Sequence, residues 1–233
     1  MTGTSASRSR LTFSTVSSAV TLVALIAIPL FAKNFFVFQL TMVLIYGLAV
    51  LALNILTGAS GQFSLGHSAF YAVGAYTSGI LIEFAGMNYL LTLPVAGLIC
   101  FVFGFLFGFP ALRLSGIYLA LATFALAVAM PQLLKVGAFE HWTGGVQGLV
   151  ITKPDAPFGL PLSQDVWLYY VTLAIAIVIY IAAVNLLNSR SGRAMMAIRD
   201  NQIAASAMGV DVAFYKTMAF GISAGVTGIA GGL

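Results

Sequence analysis

Long apolar runs, separated by short polar interruptions, dominate the 233-residue chain. Seven of these runs approach or exceed the ~20 residues that an α-helix needs to cross a bilayer. We predict spans over residues 11–32, 35–56, 68–84, 90–109, 117–134, 166–187 and 215–233. A secretory signal peptide is an alternative for the first run, although its apolar core is shorter, at roughly 7 to 15 residues. The pattern predicts an all-α, polytopic membrane helical bundle in one domain, residues 1–233.

The interruption between the second and third runs differs from an ordinary turn. Residues 57–79 read TGASGQFSLGHSAFYAVGAYTSG, and the first dozen are rich in glycine and small polar residues and carry no charge. Backbone polar groups that are left free at membrane depth must face protein or water. We therefore predict a broken or re-entrant helix near residues 57–67.

Composition and charge support the membrane assignment. The chain is 61% hydrophobic and 7% charged, whereas soluble proteins have roughly 25% charged residues. With a cytoplasmic N-terminus, the predicted inside set of basic residues is Arg8, Arg10, Arg113, Arg190, Arg193, Arg199 and Lys216, and the outside set is Lys33, Lys135 and Lys153. This asymmetry fits the positive-inside rule, so the net charge of +4 gives no reason to expect nucleic-acid binding. The single cysteine, Cys100, excludes an internal disulfide framework.

A second polar segment, residues 189–211, reads SRSGRAMMAIRDNQIAASAMGVD. Its alanine and methionine content predicts a helix over residues 193–208, ended by Gly209, with Asp211 capping the next span. Two interpretations remain open from the residues alone. The helix inserts into a groove on a partner, or it rests on the membrane surface with its arginines near lipid phosphates.

Small residues recur at four-residue spacing in several runs. Gly104 with Gly108, Gly221 with Gly225, and Gly228 with Gly232 have the GxxxG spacing that lets membrane helices pack closely. The final run ends in GVTGIAGGL without a polar boundary. A membrane helix needs partners for its last carbonyls, so we expect the chain to be truncated at its C-terminus.

Four motifs carry a family resemblance. LTGASGQFSLGHSAFYAVGAY, LRLSGIYLALATFALA, TGGVQGL and SGRAMMAIRDNQIAASAMG occur in this order from about residue 40 to the end. Together they resemble the LivM-type subfamily of permeases from ATP-binding cassette importers. The resemblance implies a multi-pass protein of the bacterial inner membrane that imports branched-chain or related hydrophobic amino acids. Close relatives in the family carry urea and short amides, which is the alternative substrate class.

The resemblance also implies partners and site residues. The expected partners are a second, LivH-type permease subunit, two cytoplasmic ATP-binding subunits and a periplasmic substrate-binding protein, besides membrane lipid. Residues 189–211 would be the segment that couples to the ATPase, through Gly192, Arg193, Ala194, Arg199, Asp200, Asn201, Gln202 and Gly209. The broken stretch would line the substrate pathway, through Ser60, Gly61, Gln62, Ser64, Gly66 and His67. A bulky residue at Gly61 or Gly66 should then stop transport without preventing membrane insertion.

His67 and Gln62 each allow two interpretations. His67 is a buried imidazole hydrogen-bonded to the hydroxyls of Ser64 and Ser68, or it lies in or beside the pathway. Gln62 lines the pathway or caps freed backbone. We expect no metal site, because no second His or Cys stands at ligand spacing, and no catalytic residues, because no nucleophile and base are paired. With no Walker-type loop, the chain needs partner subunits to hydrolyse ATP, and no cofactor is expected.

Two other classes of protein remain as alternatives. A secondary transporter or channel that works without ATP also needs broken helices, but it usually places charge in its pathway and needs no helical insert like residues 189–211. A membrane-embedded enzyme needs a convergent polar set, which the sequence lacks.

Overall fold

The structure is a computed structural model that describes residues 23–29, 31–114, 116–145, 147–151 and 163–233. Within those ranges the backbone forms helices, turns and irregular segments, without a strand. Residues 23–29 are helical. The later helices are α1 (Asn34–Asn54), α2 (His67–Ala85), α3 (Tyr89–Ala111), α4 (Ile117–Leu134), α5 (Glu140–Thr143), α6 (Gln164–Asn188), α7 (Arg190–Asp200), α8 (Gln202–Ala207) and α9 (Val212–Gly232). A π-helical turn, Ile55–Ala59, continues α1 directly, and a 3₁₀ turn, Gly137–Phe139, precedes α5.

Five helices in the described ranges are long and apolar enough to cross a bilayer: α1 with its π-helical turn, α3, α4, α6 and α9. α2 has 19 residues, but Ser68, Thr77, Ser78 and Glu83 make it more polar. The predicted bounds of spans two to seven agree with these six helices to within three residues. The fold class, a polytopic helical bundle, is confirmed. The first predicted span lies mostly outside the described residues, so the total of seven spans stays a prediction.

Helix α9 lies at the centre of the bundle, where it packs against α3, α2 and α1. Glycines make the closest of these contacts. A Cβ atom added at Gly108 in α3 would lie 2.9 Å from Cα of Thr217 in α9. A Cβ atom added at Gly74 in α2 would meet the backbone carbonyl of Gly228 in α9. The helix backbones therefore touch, and the tight packing predicted from the glycine spacing is confirmed.

One face of α7 is buried beneath the bundle. Met195 is 0% exposed and joins a buried apolar cluster with members from the π-helical turn, α2, α3, α4 and α9: Leu56, Phe70, Ala111, Leu119, Ala219, Phe220 and Ala224. Gly192 and Ile198, on the same helix, are buried as well. A helix that rests only on lipid headgroups would not bury these side chains in protein, so the headgroup interpretation does not account for α7.

The prediction of one helix over residues 193–208 is wrong. The helix breaks at Asn201, whose backbone is extended, with φ −156° and ψ 104°. The Asn201 Oδ1 atom accepts a hydrogen bond from the backbone N–H of Ala204 and so begins a new helix, α8. Asparagine favours such caps because its side chain competes with the helical backbone for hydrogen bonds. Past α8, Gly209 has φ +83°, and Asp211 caps α9, as predicted.

The two ends of the bundle differ in charge. We call the end that carries α7 and α8 the α7 end. It also holds the C-terminal ends of α1, α3 and α6 and the start of α9, together with the basic residues Arg113, Arg190, Arg193, Arg199 and Lys216. The opposite end holds Lys33, Lys135, Glu83, Glu140 and Asp165. For the described residues, the structure therefore separates the charges as the sequence predicted.

Candidate functional site

The break after α1 begins in a π-helical turn, Ile55–Ala59. Gly61 lies two residues beyond this turn, and its φ of +70° is a left-handed conformation that favours glycine. The backbone N–H of Gly61 donates to the carbonyl of Thr57 at 3.2 Å, and that of Gln62 donates to the carbonyl of Leu56 at 3.3 Å. A Schellman motif at the end of an α-helix has the same pair of N–H to carbonyl bonds. Here each N–H reaches a carbonyl one residue further back along the chain. The chain therefore leaves a widened helix end with its last carbonyls partly satisfied.

Residues 61–66, which we call the non-helical segment, form no helix, and α2 starts at His67, so the predicted break near residues 57–67 is confirmed. Within this segment the side chains alternate between two environments. Gln62, Ser64 and Gly66 are buried, whereas Phe63 and Leu65 are 60% and 61% exposed. The polar side chains are therefore turned into the bundle and the apolar side chains away from it. The alternation of polar and apolar residues is visible in the sequence, but we did not predict from it that the polar side chains would be the buried ones.

His67 is held between two hydroxyl groups. Its Nδ1 atom lies 3.1 Å from Ser64 Oγ, and its Nε2 atom lies 2.6 Å from Ser223 Oγ in α9. The Ser223 hydroxyl donates its proton to the carbonyl of Ala52 in α1 at 2.6 Å. Ser223 must therefore accept from Nε2–H, which fixes a tautomer with Nδ1 as the acceptor. Ser64 is one of the two predicted partners, but Ser68 is exposed and Ser223 takes its place.

The triad of Ala52, Ser223 and His67 ties three helices together, so we expect Ser223→Ala to reduce stability. The variant leaves the Nε2–H without its partner and removes one bond to the carbonyl of Ala52, which still accepts from the backbone N–H of Ile55. An unsatisfied buried polar group costs about 1–3 kcal/mol. The free energy of unfolding in mixed micelles should fall by about 2 kcal/mol. Ser206→Ala is the control, because the Ser206 hydroxyl bonds only within its own exposed turn. Equal stability of the two variants would show that the triad is not structural.

Residues 65 and 66 lie directly against α4. The backbone N–H of Leu65 donates to Thr123 Oγ1 at 2.9 Å. A Cβ atom added at Gly66 would lie 2.5 Å from the Thr123 carbonyl oxygen and 2.9 Å from Thr123 Cβ. Only glycine leaves room for this contact, so the end of the non-helical segment is fixed to α4.

Gln62 bonds to backbone. Its Nε2 atom donates to Ser60 Oγ at 2.7 Å and to the carbonyl of Lys216 in α9 at 3.1 Å. The free backbone groups at the start of a helix are N–H groups, and the Lys216 carbonyl lies inside α9 (Val212–Gly232), so this bond caps no freed backbone and both predicted roles of Gln62 stay predictions. The chain thus uses Gln62 to join the break to α9 at the α7 end.

A separate cavity lies at the opposite end of the bundle. Its volume is about 670 Å³, and its lining includes Thr41, Ser78, Asn88, Tyr89, Asp165 and Trp167. The buried Ser78 hydroxyl has no hydrogen-bond partner among the described residues. The six predicted pathway residues do not line this cavity. They lie at the break instead, at the other end of α2, where Ser60, Gln62, Ser64 and Gly66 are buried, His67 is half-buried and Gly61 is exposed.

The predicted coupling residues mostly make contacts within the chain. Gly192 packs against the carbonyls of Leu186 and Leu187 at the end of α6, and a side chain there would clash with them. The Arg193 Nη1 atom donates to the carbonyl of Asn188 at 2.8 Å. Ala194 is half-buried. This first half of the segment is therefore a fixed support beneath the bundle.

The second half of the segment reaches the break. The Arg199 Nη1 atom donates to the carbonyl of Gly58 at 2.7 Å, and its guanidinium also bonds Asp200. Gln202 Oε1 accepts from Lys216 Nζ at 2.8 Å. Asn201 and Gly209 set the two ends of α8, as described above.

Two apolar side chains of this segment point away from the protein. Ile203 is 82% exposed and Met208 is 85% exposed, on and just after α8. Ala204, Ser206 and Ala207 around them are small and exposed. Sequence reasoning missed this pair because a continuous helix would have placed it differently relative to α7. An apolar patch on a short, anchored helix is typical of a surface that binds another protein.

In the described part of the chain, no three His, Cys, Asp or Glu side chains group closely enough to hold a metal ion. Apart from the bond from the Arg199 guanidinium to the carbonyl of Gly58, the contacts of the broken stretch are hydrogen bonds among neutral groups and backbone. Such an arrangement can present polar surface inside a membrane, and its bonds to α4 and α9 join the stretch to separate helices.

A family model described as a branched-chain amino acid transport system permease component matches residues 35–233. The chain is 34% identical to the high-affinity branched-chain amino acid transport system permease protein LivM of Salmonella typhimurium strain LT2, and 33% identical to the protein of that name from Escherichia coli K12. Each alignment covers 94% of this chain and 58% of the relative's own length. No solved structure gives a significant match. The chain belongs to the family of permease components of branched-chain amino acid transport systems.

Proposed function

We propose that this chain is the transmembrane permease subunit of an ATP-binding cassette importer for branched-chain or related hydrophobic amino acids. The family match over residues 35–233 and the names of the relatives support this substrate class. The observation that carries the proposal is the anchored pair of helices α7 and α8: α7 is buried on one side, and α8 carries the exposed apolar residues Ile203 and Met208 on it and just after it. A transporter that works without an ATPase has no need of such a docking element.

The α7 end would face the cytoplasm of a bacterial cell. Basic residues are enriched on the cytoplasmic side of membrane proteins, and the described basic residues of this chain are mostly at that end. With one span before α1, the N-terminus would then be cytoplasmic as well. The membrane would be the inner membrane, where the substrate arrives from a periplasmic binding protein.

Partner subunits would supply the energy. We assign ATP hydrolysis to two ATP-binding subunits, one of which docks on α8, and the chain itself catalyses no reaction and needs no cofactor. A second, LivH-type permease subunit would complete the pathway. Closure of the ATP-binding subunits would push α7 and α8, and the polar face of residues 60–66 would repack so that the pathway opens alternately to each side.

The docking role of α8 is tested with the variant Ile203→Asp/Met208→Asp. Two carboxylates on the apolar patch should remove most of the ATP-binding subunit that copurifies with the chain, because charged residues are depleted from interface cores. Uptake of labelled leucine by reconstituted vesicles should fall in proportion. The bound ATP-binding subunit is quantified on stained gels after purification through the permease.

The control is Leu114→Asp, which places a carboxylate on another exposed apolar residue at the α7 end, outside residues 189–211. It should keep its ATP-binding subunit. If the unsubstituted chain copurifies with none, the importer proposal fails. Competition of leucine uptake by urea and short amides then separates the two substrate classes of the family.

A further inference from the structure

Arg199 joins segment 189–211 directly to the broken stretch. Its Nη1 atom donates to the carbonyl of Gly58 at 2.7 Å, within the π-helical turn. Its side-chain stem covers the left-handed turn, because a Cβ atom at Gly61 would lie 2.7 Å from Arg199 Cγ. Its Nε and Nη2 atoms both bond Asp200 Oδ1, at 3.0 and 2.9 Å. The guanidinium is therefore oriented by its own helix and directed at the break.

This position suits a cation with several donors. The last carbonyls of a helix carry a partial negative charge, and a charge-assisted hydrogen bond is roughly twice as strong as a neutral one. The guanidinium can bond Asp200 and Gly58 together because its donors form a planar fork. A lysine at Arg199 would keep the charge but would hold one of these partners less well.

A second connection runs in parallel through α9. Gln202 in α8 bonds the side chain of Lys216, and the carbonyl of Lys216 accepts from Gln62 in the non-helical segment. Met195 also packs in the same buried cluster as Leu56 of the π-helical turn. The π-helical turn and the residues just beyond it are thus held from α7, α8 and the start of α9.

We propose that Arg199 is a positioning residue that transmits movement of segment 189–211 to residues 58–67, and that it lies outside the surface that binds the ATPase. The inference rests on the proposed function, in which ATP-binding subunits push this segment. The movement would pass from Arg199 to Gly58 and Gly61 and then along the non-helical segment. It ends at His67, which bonds α9, and at Gly66, which touches α4.

The first test measures whether Arg199 keeps the chain at Ser60 buried in the bundle. Ser60, beside Gly61, is 3% exposed, so a thiol introduced by Ser60→Cys should react slowly with a water-soluble maleimide in the complete transporter. Native Cys100 is 0% exposed and gives a low background. Adding Arg199→Gln should raise the labelling rate about tenfold, since a lost charge-assisted hydrogen bond shifts an opening equilibrium by at least that factor.

Two companion variants make this result specific. Arg199→Lys should give a smaller rise, because it keeps one donor and the charge. Arg113→Gln removes an exposed arginine from the same end of the bundle, on the connection between α3 and α4, and should leave labelling unchanged. Equal labelling in the Arg199→Gln and Arg113→Gln backgrounds would overturn the inference.

The second test measures coupling in reconstituted vesicles. In Arg199→Gln we expect the number of leucine molecules imported per ATP hydrolysed to fall about tenfold, for the same energetic reason, while the amount of copurified ATP-binding subunit stays the same. Loss of that subunit from the complex would overturn the inference, because it would place Arg199 in the partner interface. Failure of the proposed function is distinct, since the unsubstituted chain would then bind no ATP-binding subunit.

Discussion

The Gly66→Val variant is expected to insert into the membrane normally and to lose nearly all leucine uptake. A Cβ atom at this position lies 2.5 Å from a backbone carbonyl oxygen of α4, at Thr123, which cannot rotate away as a side chain can. Overpacking costs about 1–3 kcal/mol, which lowers the population of the packed segment by about 5- to 150-fold. Gly66 has φ −100° and ψ 6°, a conformation that residues other than glycine also adopt, so the clash with α4 is the main cost of the valine. Initial uptake rates, normalised to the amount of chain in the membrane, measure it.

Gly47→Val is the matched control for this prediction. Gly47 lies in α1, is exposed, and has no atom within 4 Å of an added Cβ. Uptake by this variant should equal that of the unsubstituted transporter. If Gly66→Val also transports normally, residues 60–66 are a connecting loop, and the pathway role proposed for them is wrong.

The helices themselves could be predicted from the sequence because hydropathy acts locally. A run of apolar residues must be helical to satisfy its backbone in lipid, so the bounds of α4, Ile117–Leu134, were predicted to the residue. The break at Asn201 was not, because alanine-rich propensity on both sides outweighed one asparagine in the sequence argument. In the fold, the side-chain cap at Ala204 decides the outcome. Propensity is a weak prior wherever a cap competes with it.

The site could be predicted only in part, for a related physical reason. The polar, glycine-rich composition of residues 57–67 indicated a break, and the break is there. Its partners Thr123, Lys216 and Ser223 lie 58 to 156 positions away in the chain, and a local pattern carries no information about such contacts. Arg199 illustrates the same limit. A charge on a polar segment indicates solvent or a partner protein, yet this guanidinium bonds the carbonyl of Gly58.

Gly74→Leu is expected to have the opposite profile from Gly66→Val, with loss of the folded bundle itself. Gly74 in α2 touches the backbone of Gly228 in α9, and Gly231 in α9 likewise touches the carbonyl of Tyr71 in α2. A leucine must push the two helices apart along this whole crossing, where van der Waals contact between backbones supplies the attraction. We expect the free energy of unfolding to fall by about 3 kcal/mol or more, and little monodisperse protein to survive size-exclusion chromatography after extraction.

Gly47→Leu separates this effect from that of the added leucine, because it places the same side chain on an exposed position of α1. Its elution profile and stability should match those of the unsubstituted chain. A Gly74→Leu protein as stable as this control would mean that α2 is not held against α9 by close backbone contact. The position of His67 would then have to depend on the hydrogen bonds to Ser64 and Ser223 alone, since α2 begins at that residue. Comparing Gly66→Val with Gly74→Leu thus tests two roles separately. Packing against α9 would fix α2 along its length, and the broken stretch would set the position of its first turn.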